Sequence, residues 1–395
     1  MSDEKRNPRP GAMTEQERAE LIRLRRDFHR HPELGFQEKR TAGVIAEFLG
    51  GLGMDPVTGI AETGVSAVIG EGEGPVLMLR ADMDALPIEE ESQQPFRSGF
   101  SGVMHACGHD GHMATLLTAC SVLTREAADL GGRIKAVFQP AEEGMGGAVR
   151  MIEEGLLETP KVDAALGLHY WSGIPTGKVA VNPGPVMAAV DEFHLRIIGK
   201  GGHGAIPQET RDSVVAGAAL VSSLQTLVSR RSDPLEPVVV TVGEFHAGSA
   251  FNVIPGETQL SGTLRCFDKG IWEAIPEQFE HIVAGICHAH GCSYELDYRR
   301  INIPLVNDAG MAAMVREAAV ELVGEANLVD FRTLGGEDMG DYFKLVPGCF
   351  FFVGAGNAEK GITAGHHHPS FDLDEDALAV GVELMVRAAR RYLAG

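Results

Sequence analysis

Over the first 170 residues, short apolar runs alternate with longer stretches in which apolar positions recur at helical spacing. Each apolar run is bounded by glycine, proline or polar residues and predicts a strand. The predicted strands cover residues 65–69, 76–80, 134–138 and 164–168. The helical stretches cover residues 15–49, 111–128 and 147–157, and the first of them is interrupted at residues 31–33. Because strands that alternate with helices build a parallel sheet covered on both faces, this pattern predicts a largely parallel α/β domain.

A different order of elements begins after residue 185. It reads strand, helix, strand, strand, helix, strand, which is the order of the split ferredoxin-like unit. The strands cover residues 193–198, 238–245, 259–267 and 293–298, and the helices cover 212–230 and 272–290. The chain then returns to the α/β pattern. We therefore predict a catalytic domain of residues 14–185 and 299–395, into which an α+β domain of residues 186–298 is inserted.

Length and composition fit a two-domain soluble protein. The chain has 395 residues, which is longer than a domain with a single hydrophobic core usually is. Of these residues, 44% are hydrophobic. Its 34 basic and 55 acidic residues give a net charge of −21, which argues against nucleic acid or an anionic membrane as partner. No run approaches the roughly 18 apolar residues of a membrane span. The sequence of residues 1–13 predicts a disordered tail and does not resemble a signal peptide. The six widely spaced cysteines predict that the protein is located in the cytoplasm.

Four segments contain side chains that bind transition metals. They are residues 105–112 (HACGHDGH), 139–143 (QPAEE), 168–169 (LH) and 366–369 (HHHP). Thiolate, imidazole and carboxylate groups are the usual donors of such sites. Two of the segments follow predicted strands, where an α/β sheet places its chemistry. The pattern therefore predicts a metal-dependent enzyme.

The first of these segments offers Cys107 and His109 as ligands. They are one residue apart, so that a turning backbone can direct both donors to the same point. The alternative is a buried structural cysteine beside a helix-capping histidine. His105 and His112 are weaker candidates, for which packing or support of a ligand is the better interpretation.

The second segment offers Glu142 and Glu143, which follow the predicted strand 134–138 through Pro140. Neighbouring glutamates are commonly solvated surface residues, and that is the alternative here. Adjacent side chains point in different directions, which suits one metal ligand and one general base that takes a proton from water.

Further candidates lie beside other strands. Asp82 and Asp84 follow the strand 76–80 and either orient a ligand imidazole or cap a helix. His169 ends the strand 164–168 and, taken alone, is equally well a buried core histidine. The three consecutive histidines at 366–368 cannot all bind in one site, so at least one of them has another role.

In this order, the motifs resemble those of the metal-dependent amidohydrolases of the aminoacylase/carboxypeptidase clan, in the branch of hippurate hydrolase and the indoleacetyl-amino acid hydrolases. The resemblance covers nearly the whole chain after the predicted tail. Besides the Cys107 and Glu142 segments, it rests on residues 26–36 (RDFHRHPELGF), 79–87 (LRADMDALP), 201–205 (GGHGA), 252–255 (NVIP), 262–265 (GTLR), 335–338 (GGED) and 367–371 (HHPSF). One departure is Met339, where an aromatic residue is expected, so that the pocket wall is expected to differ.

The resemblance implies a zinc-peptidase-like catalytic domain with two divalent metal ions per subunit and Glu142 as general base. The implied ligands are Cys107, His109, Glu143, His169 and His367. His367 is preferred because the family pattern is histidine, any residue, proline, and then phenylalanine two residues further on. His366 and His368 remain alternatives. The expected metals are Zn²⁺ or Mn²⁺, with Co²⁺ or Ni²⁺ as further options.

In this family the inserted domain is a lid and a dimerisation surface, which implies a homodimer or homotetramer assembled through residues 186–298. His203, in the Gly-His motif, is expected to stabilise the oxyanion in its own or the partner subunit's site. The alternative for His203 is a turn residue in a glycine-rich loop. Asn252 and Arg265 are expected to bind substrate, with Arg265 suited to bidentate capture of a carboxylate.

The implied reaction is hydrolysis of the amide bond of an N-acyl amino acid, hippurate-like, N-acetyl or related, to a carboxylic acid and an amino acid. Alternatives are a dipeptidase or carboxypeptidase-like metallopeptidase, and a non-catalytic metal- or ligand-binding protein of the same fold, which would not need Glu142 as a base. A cysteine hydrolase that uses Cys107 and His109 would leave the other donors without a role. The sequence identifies neither the acyl group nor the amino acid.

Overall fold

The computed structural model describes residues 13–395, which divide into two compact units. The first unit contains residues 13–184, Val306–Phe331 and Asp341–Gly395, and the second contains Pro185–Leu305 and Arg332–Gly340. Residues 1–12 of the predicted disordered tail lie outside the described part. Met13, which that prediction included, is buried in the core of the first unit, and its backbone N–H donates to Glu383 (3.2 Å). The prediction was therefore wrong for Met13.

A seven-stranded sheet in the order β1-β2-β4-β3-β5-β15-β6 forms the centre of the first unit. Its strands are β1 (Val57–Ile60), β2 (Gly64–Ile69), β3 (Val76–Asp82), β4 (Arg133–Gln139), β5 (Ala164–Pro175), β6 (Val179–Ala180) and β15 (Gly348–Gly356). The four strands β4, β3, β5 and β15 run parallel, whereas β1, β2 and β6 join through antiparallel pairings. The predicted α/β domain with a mostly parallel sheet is confirmed.

Helices cover the two faces of this sheet. They are α1 (Glu15–Arg30), α2 (Lys39–Gly51), α3 (His109–Thr124), α4 (Gly147–Glu153), α7 (Ala309–Val323) and α9 (Asp376–Ala394), and the short α8 (Met339–Phe343) precedes β15. Helix α3 packs against the sheet, α1 and α9, and nearly all of its residues are buried. A helix enclosed on all sides must be apolar around its whole circumference, and α3 accordingly lacks one dominant apolar face.

Strand β5 is longer than predicted. The sequence predicts a strand that ends at His169, but β5 continues to Pro175 because β15 pairs with it as far as Gly356. On its other side, β3 pairs with β5 only up to Gly167. His169 therefore lies inside a strand, two residues beyond its last pairing with β3.

The second unit is a four-stranded antiparallel sheet in the order β10-β12-β8-β13. Its elements are β8 (Ala189–Ile198), β9 (Gly202–His203), α5 (Ser213–Thr226), β10 (Val238–Ala247), β11 (Val253–Ile254), β12 (Glu257–Cys266), α6 (Lys269–Ala289) and β13 (Ser293–Asn302). Alternate residues of β8, among them Phe193 and Leu195, are buried in a core that includes both helices. This order of elements confirms the predicted ferredoxin-like fold.

The second unit extends beyond the predicted boundaries of residues 186–298. Strand β13 continues to Asn302, which pairs with Val190 of β8. Residues 332–340 join the same unit, in which the carbonyl oxygen of Gly335 accepts a hydrogen bond from the N–H of Ala188 (2.9 Å). These residues are far from 186–298 in sequence, so that helix and strand periodicity gave no sign of the contact.

The chain passes between the two units within β7 (Gly184–Met187) and β14 (Leu305–Asn307), and again after Phe331 and after Gly340. Each of the six cysteines is free. Among residues 13–395, no helix has the length and apolar character needed to cross a membrane.

Candidate metal centre

The carboxyl ends of the central strands carry the predicted donors of the first unit. Strand β3 ends at Asp82, and β4 ends at Gln139, three residues before Glu142. Strand β5 carries His169 just beyond its pairing with β3. Because parallel strands end at the same edge of a sheet, side chains that are far apart in sequence are brought to one place.

Helix α3 brings two further donors to this edge. It begins at His109, and Cys107 lies immediately before its N-cap residue, Gly108. Gly108 has φ 91°, a left-handed value that glycine adopts without steric cost. This conformation turns the chain from Cys107 into the helix. Cys107 and His109 both contribute to one cluster of donors.

The structure brings together all five predicted ligands and the predicted base. The Sγ of Cys107 lies 3.5 Å from Nε2 of His169, and Oε1 of Glu143 lies 3.3 Å from Nε2 of His367 and 4.0 Å from Nε2 of His109. Three overlapping groups each have their ligand atoms within 4.8 Å of one another: Cys107, His109 and His169; Cys107, Glu143 and His367; and His109, Glu142 and Glu143. This overlap is what two neighbouring ions with shared ligands would require.

Two of the histidines are oriented for metal binding by main-chain carbonyl groups. The Nδ1–H of His109 donates to the carbonyl oxygen of Asp84 (2.9 Å), and the Nδ1–H of His169 donates to that of Tyr170 (2.7 Å). A neutral imidazole that donates through Nδ1 has its lone pair on Nε2. In both residues Nε2 is the atom that faces the other donors, which is the arrangement expected of metal-ligating histidines.

The neighbouring histidines have other partners. His112 accepts the backbone N–H of Tyr170 at Nε2 (3.1 Å) and donates through Nδ1 to Asp82 (2.6 Å), so that neither nitrogen is free. The Nε2–H of His366 donates to the carbonyl oxygen of Tyr170 (2.9 Å), and its ring stacks on Trp171. His368 accepts the N–H of Ser370 at Nδ1 (3.0 Å). These contacts favour His367 over its neighbours.

Asp82 and Asp84 contribute differently from the prediction. The carboxylate of Asp82 binds His112 and accepts from Nη1 of Arg80 (2.8 Å), whereas it lies 3.7 Å from Nδ1 of His109. Asp84 orients His109 through its main-chain carbonyl, and its carboxylate Oδ2 accepts the N–H of Glu143 (3.0 Å). Only Asp84 therefore makes a hydrogen bond to a predicted ligand.

Sequence reasoning missed Tyr170. Its carbonyl oxygen accepts from both His169 and His366, and its N–H donates to His112. The main-chain groups of this one residue of β5 thus contact three imidazoles. Main-chain groups are the same in every residue, so that only the position of Tyr170 directly after His169 could have suggested this role.

The side chains fit a bound cation. The Oε1 atom of Glu143 is buried and accepts no hydrogen bond, and the same is true of Oδ1 of Asp84. A buried carboxylate oxygen without a partner is costly, and a cation would compensate the one on Glu143. Thiolate, imidazole and carboxylate together form a donor set suited to Zn²⁺ and similar metals.

Burial and neighbouring charges shift the pKa values of three of the predicted ligands in the metal-free site. Burial, together with the nearby carboxylates of Glu143 and Glu142, raises the pKa of the Cys107 thiol well above its usual value. Burial and neighbouring imidazoles lower the pKa of His169 well below 6.5. For His109, burial acts downward, but Asp82 and Asp84 raise its pKa to about 10. The site thus concentrates negative charge around Cys107 and His109, which a cation would neutralise.

The remaining predicted site residues lie in the second unit. His203 pairs with Val253 in the β9–β11 ribbon, and the N–H of Ala205 donates to its Nδ1 (3.0 Å), which leaves the proton on Nε2. Asn252 accepts the N–H of Gly204 at its carbonyl oxygen (2.9 Å). Arg265 is partly buried on β12 and donates through Nη1 to the carbonyl oxygen of Leu334 (2.9 Å).

Comparisons with known proteins identify a matching family and several similar proteins. The family model described as Peptidase family M20/M25/M40 matches residues 78–391. The chain is 45% identical over 297 residues to an N-acyl-L-amino acid amidohydrolase of Geobacillus stearothermophilus, covering 75% of this chain and 80% of the relative. It is 37% identical over 378 residues to the IAA-amino acid hydrolase ILR1-like 4 of Arabidopsis thaliana, covering 94% and 86%. A crystal structure of a dinuclear metal-binding peptidase from the M20 family of Bacillus subtilis superposes with a TM-score of 0.83 at 34% identity, covering 96% of this chain and 99% of that one.

Proposed function

Because this chain belongs to peptidase family M20/M25/M40, we propose that it hydrolyses the amide bond of N-acyl amino acids and releases a carboxylic acid and a free amino acid. The observation that carries the proposal is the convergence of five metal donors and a second carboxylate at the carboxyl edge of one sheet. The second carboxylate adds a general base to the set of metal-binding side chains. A protein that only binds a small molecule would not need such a base.

Cys107, His109, Glu143, His169 and His367 are the residues that would hold two divalent ions. Bound there, such ions polarise the scissile carbonyl and make a water molecule acidic enough to attack at neutral pH. The thiolate and imidazoles favour Zn²⁺, and the carboxylate leaves Mn²⁺, Co²⁺ or Ni²⁺ as alternatives.

Glu142 is the general base in this proposal. It is buried, and its carboxylate lies in the same group of donor atoms as His109 and Glu143. Because Glu143 has the contacts with His109 and His367, we assign metal binding to Glu143 and acceptance of the proton from the attacking water to Glu142. It then delivers this proton to the leaving amine, so that the amino acid departs neutral at nitrogen.

Arg265 is proposed to bind the carboxylate of the substrate. Within residues 13–395 no acidic side chain forms an ion pair with it, although its guanidinium is partly buried and already donates to the carbonyl oxygen of Leu334. Burial lowers its pKa without removing its charge. An arginine without an acidic partner is suited to bind a carboxylate such as that of an amino acid. Asn252 remains a second candidate for substrate binding.

His203 is proposed to donate to the oxyanion. Since its Nδ1 accepts the N–H of Ala205, the proton is on the exposed Nε2. The neighbouring Phe251 is fully exposed, and Val253 and Phe245 are exposed at 53% and 39%. An apolar surface of this kind commonly marks an interface, which supports a homodimer through the second unit, with His203 acting in its own or in the partner's site.

His203→Ala is expected to lower kcat by roughly 10²–10³-fold, the usual cost of one oxyanion donor, without loss of bound metal. If His203 acts across the dimer, mixing His203→Ala with Glu142→Gln subunits should restore part of the activity, since the mixed dimer would contain one site with both residues. Lack of recovery after demonstrated subunit exchange would place His203 in its own chain's site. Unchanged kcat in the single variant would remove the oxyanion role.

A substrate panel tests the proposed function. The metal-loaded protein is incubated with N-acetyl, N-benzoyl, N-succinyl and N-indoleacetyl amino acids and with dipeptides, and release of free amine is measured, with Glu142→Gln as the control. We expect turnover of at least one class of N-acyl amino acid. Turnover confined to dipeptides would instead indicate a dipeptidase.

We propose that the protein is cytoplasmic, in agreement with its six free cysteines.

A further inference from the structure

A buried carboxylate from a distant segment holds the loop that carries Glu142. Glu38 precedes α2 and is fully buried, and its Oε1 accepts a hydrogen bond from the backbone N–H of Ala141 (3.0 Å). Its Oε2 accepts a hydrogen bond from the hydroxyl group of Thr63 (2.6 Å). Ala141 directly precedes Glu142, so that this contact reaches the main chain next to the proposed base.

Capping of α2 does not explain Glu38. An acidic residue immediately before a helix commonly caps the first turn. Glu38 occupies the N-cap position, but its side chain makes no capping hydrogen bond. The carboxylate of Glu33 serves the first turn instead and accepts the N–H groups of Arg40 (3.1 Å) and Thr41 (2.8 Å). Glu38 is therefore free to point toward the loop.

Ala141 needs an acceptor for its N–H group. It is fully buried and has φ 56°, a left-handed value that a residue with a Cβ atom rarely adopts. The main chain of Gly35 packs so closely that a Cβ atom there would lie 3.1 Å from Cα of Ala141. A buried N–H group without an acceptor would destabilise this conformation, so that the hydrogen bond to Glu38 helps to maintain it.

A second carboxylate holds the other side of Glu142. The N–H of Glu143 donates to Oδ2 of Asp84 (3.0 Å). The N–H groups of Ala141 and Glu143, the residues on either side of Glu142, are thus held by buried acidic side chains from two other segments. The direction of a side chain follows from its main-chain conformation, so that these two hydrogen bonds help to determine where the Glu142 carboxylate points.

We propose that Glu38 is a positioning residue for the general base: it holds Ala141 in its left-handed conformation and so directs Glu142 toward the reacting centre. This inference rests on the proposed function, in which Glu142 takes the proton from water. Burial raises the pKa of Glu38 to about 7, against the lowering effect of its hydrogen bond with Thr63. In both protonation states Oε1 accepts from Ala141, because the neutral acid can donate from Oε2 to the hydroxyl oxygen of Thr63.

Glu38→Ala and Glu38→Gln separate positioning from charge. Glu38→Ala removes the acceptor and is expected to lower kcat by about 10²-fold, a usual cost of misplacing a catalytic group by about 1 Å. KM and metal content should change little. Glu38→Gln retains an oxygen for Ala141 and offers its amide group to Thr63, so that kcat should recover close to the wild-type value.

Thr63→Val is the matched control, since it removes the other hydrogen bond of Glu38 and leaves the acceptor of Ala141 in place. Thr63→Val should lower stability but not kcat. Amide hydrogen exchange of residues 139–147 should be faster in Glu38→Ala and near wild type in Glu38→Gln and Thr63→Val. These measurements are made at equal folded fraction.

The outcomes separate this inference from the proposed function. Wild-type kcat in Glu38→Ala beside an inactive Glu142→Gln overturns the positioning role and leaves the function intact. Equal losses of kcat in Glu38→Ala and Thr63→Val also overturn it, because they would indicate a general structural effect. An active Glu142→Gln enzyme overturns both the inference and the assignment of the base.

Discussion

Glu142→Gln is expected to lower kcat by roughly 10²–10⁴-fold, the usual contribution of general acid–base catalysis, while the protein retains its metal. Glutamine has nearly the same shape as glutamate but cannot take a proton from water. Glu143 keeps the contacts with His109 and His367, so that the substitution leaves the proposed ligands unchanged. The measurements are kcat with an N-acyl amino acid and metal content by elemental analysis.

Glu143→Gln is the matched control for this prediction, since it makes the same chemical change one residue away. It should lower metal occupancy, because an amide oxygen is a weaker ligand than a carboxylate. Its activity should recover in part when the metal concentration is raised. If Glu142→Gln loses metal and Glu143→Gln keeps it, the two roles are reversed.

Arg25→Met is expected to lower the free energy of unfolding of the first unit by about 3–5 kcal/mol, because it removes the guanidinium from a buried ion pair and leaves the buried carboxylate of Asp110 with only His29 beside it. The Arg25 side chain is 0% exposed, and its Nε lies 2.9 Å from Oδ2 of Asp110, the residue after His109. Its Nη2 lies 2.7 Å from Oδ1 of Asp372. Burial by itself would raise the pKa of Asp110. The positive charges of Arg25 and His29 outweigh this effect and hold that pKa well below its usual range.

Thermal unfolding followed by circular dichroism checks this prediction, with a melting temperature lowered by roughly 6–20 °C at the usual 2–4 °C per kcal/mol. Arg23→Met provides the control in the same helix. The Arg23 side chain is 59% exposed and pairs with Glu20, and an exposed pair contributes about 1 kcal/mol at most. Equal shifts for the two variants would show that the buried ion pair does not contribute as argued.

Periodicity predicted the elements well where local pattern determines them. The strands at 76–80 and 134–138 and the β-α-β-β-α-β order of the second unit agree with the structure. The extension of β5 to Pro175 could not be predicted in this way, because it depends on pairing with β15, more than 170 residues later in the chain. Strand length is set by the neighbouring strand as well as by the sequence of the strand itself.

The resemblance to a family of metal-dependent amidohydrolases, stated from ordered motifs, is confirmed by the family match and by the named relatives. The donors could be predicted because their chemistry is visible in the side-chain types. Glu38 and Arg25 could not be predicted in their roles. Their partners Ala141 and Asp372 lie 103 and 347 residues away, and a glutamate before a helix is ordinarily interpreted as a cap.

Titration of the metal-free protein with Zn²⁺ or Mn²⁺ tests the metal dependence most directly, with bound metal and release of amine from an N-acyl amino acid measured on the same samples. We expect no turnover without metal, and activity that increases with occupancy up to two ions per subunit, in keeping with the overlapping donor groups. Full turnover by the metal-free protein, together with its loss in Cys107→Ser, would identify a cysteine hydrolase and contradict the proposed mechanism.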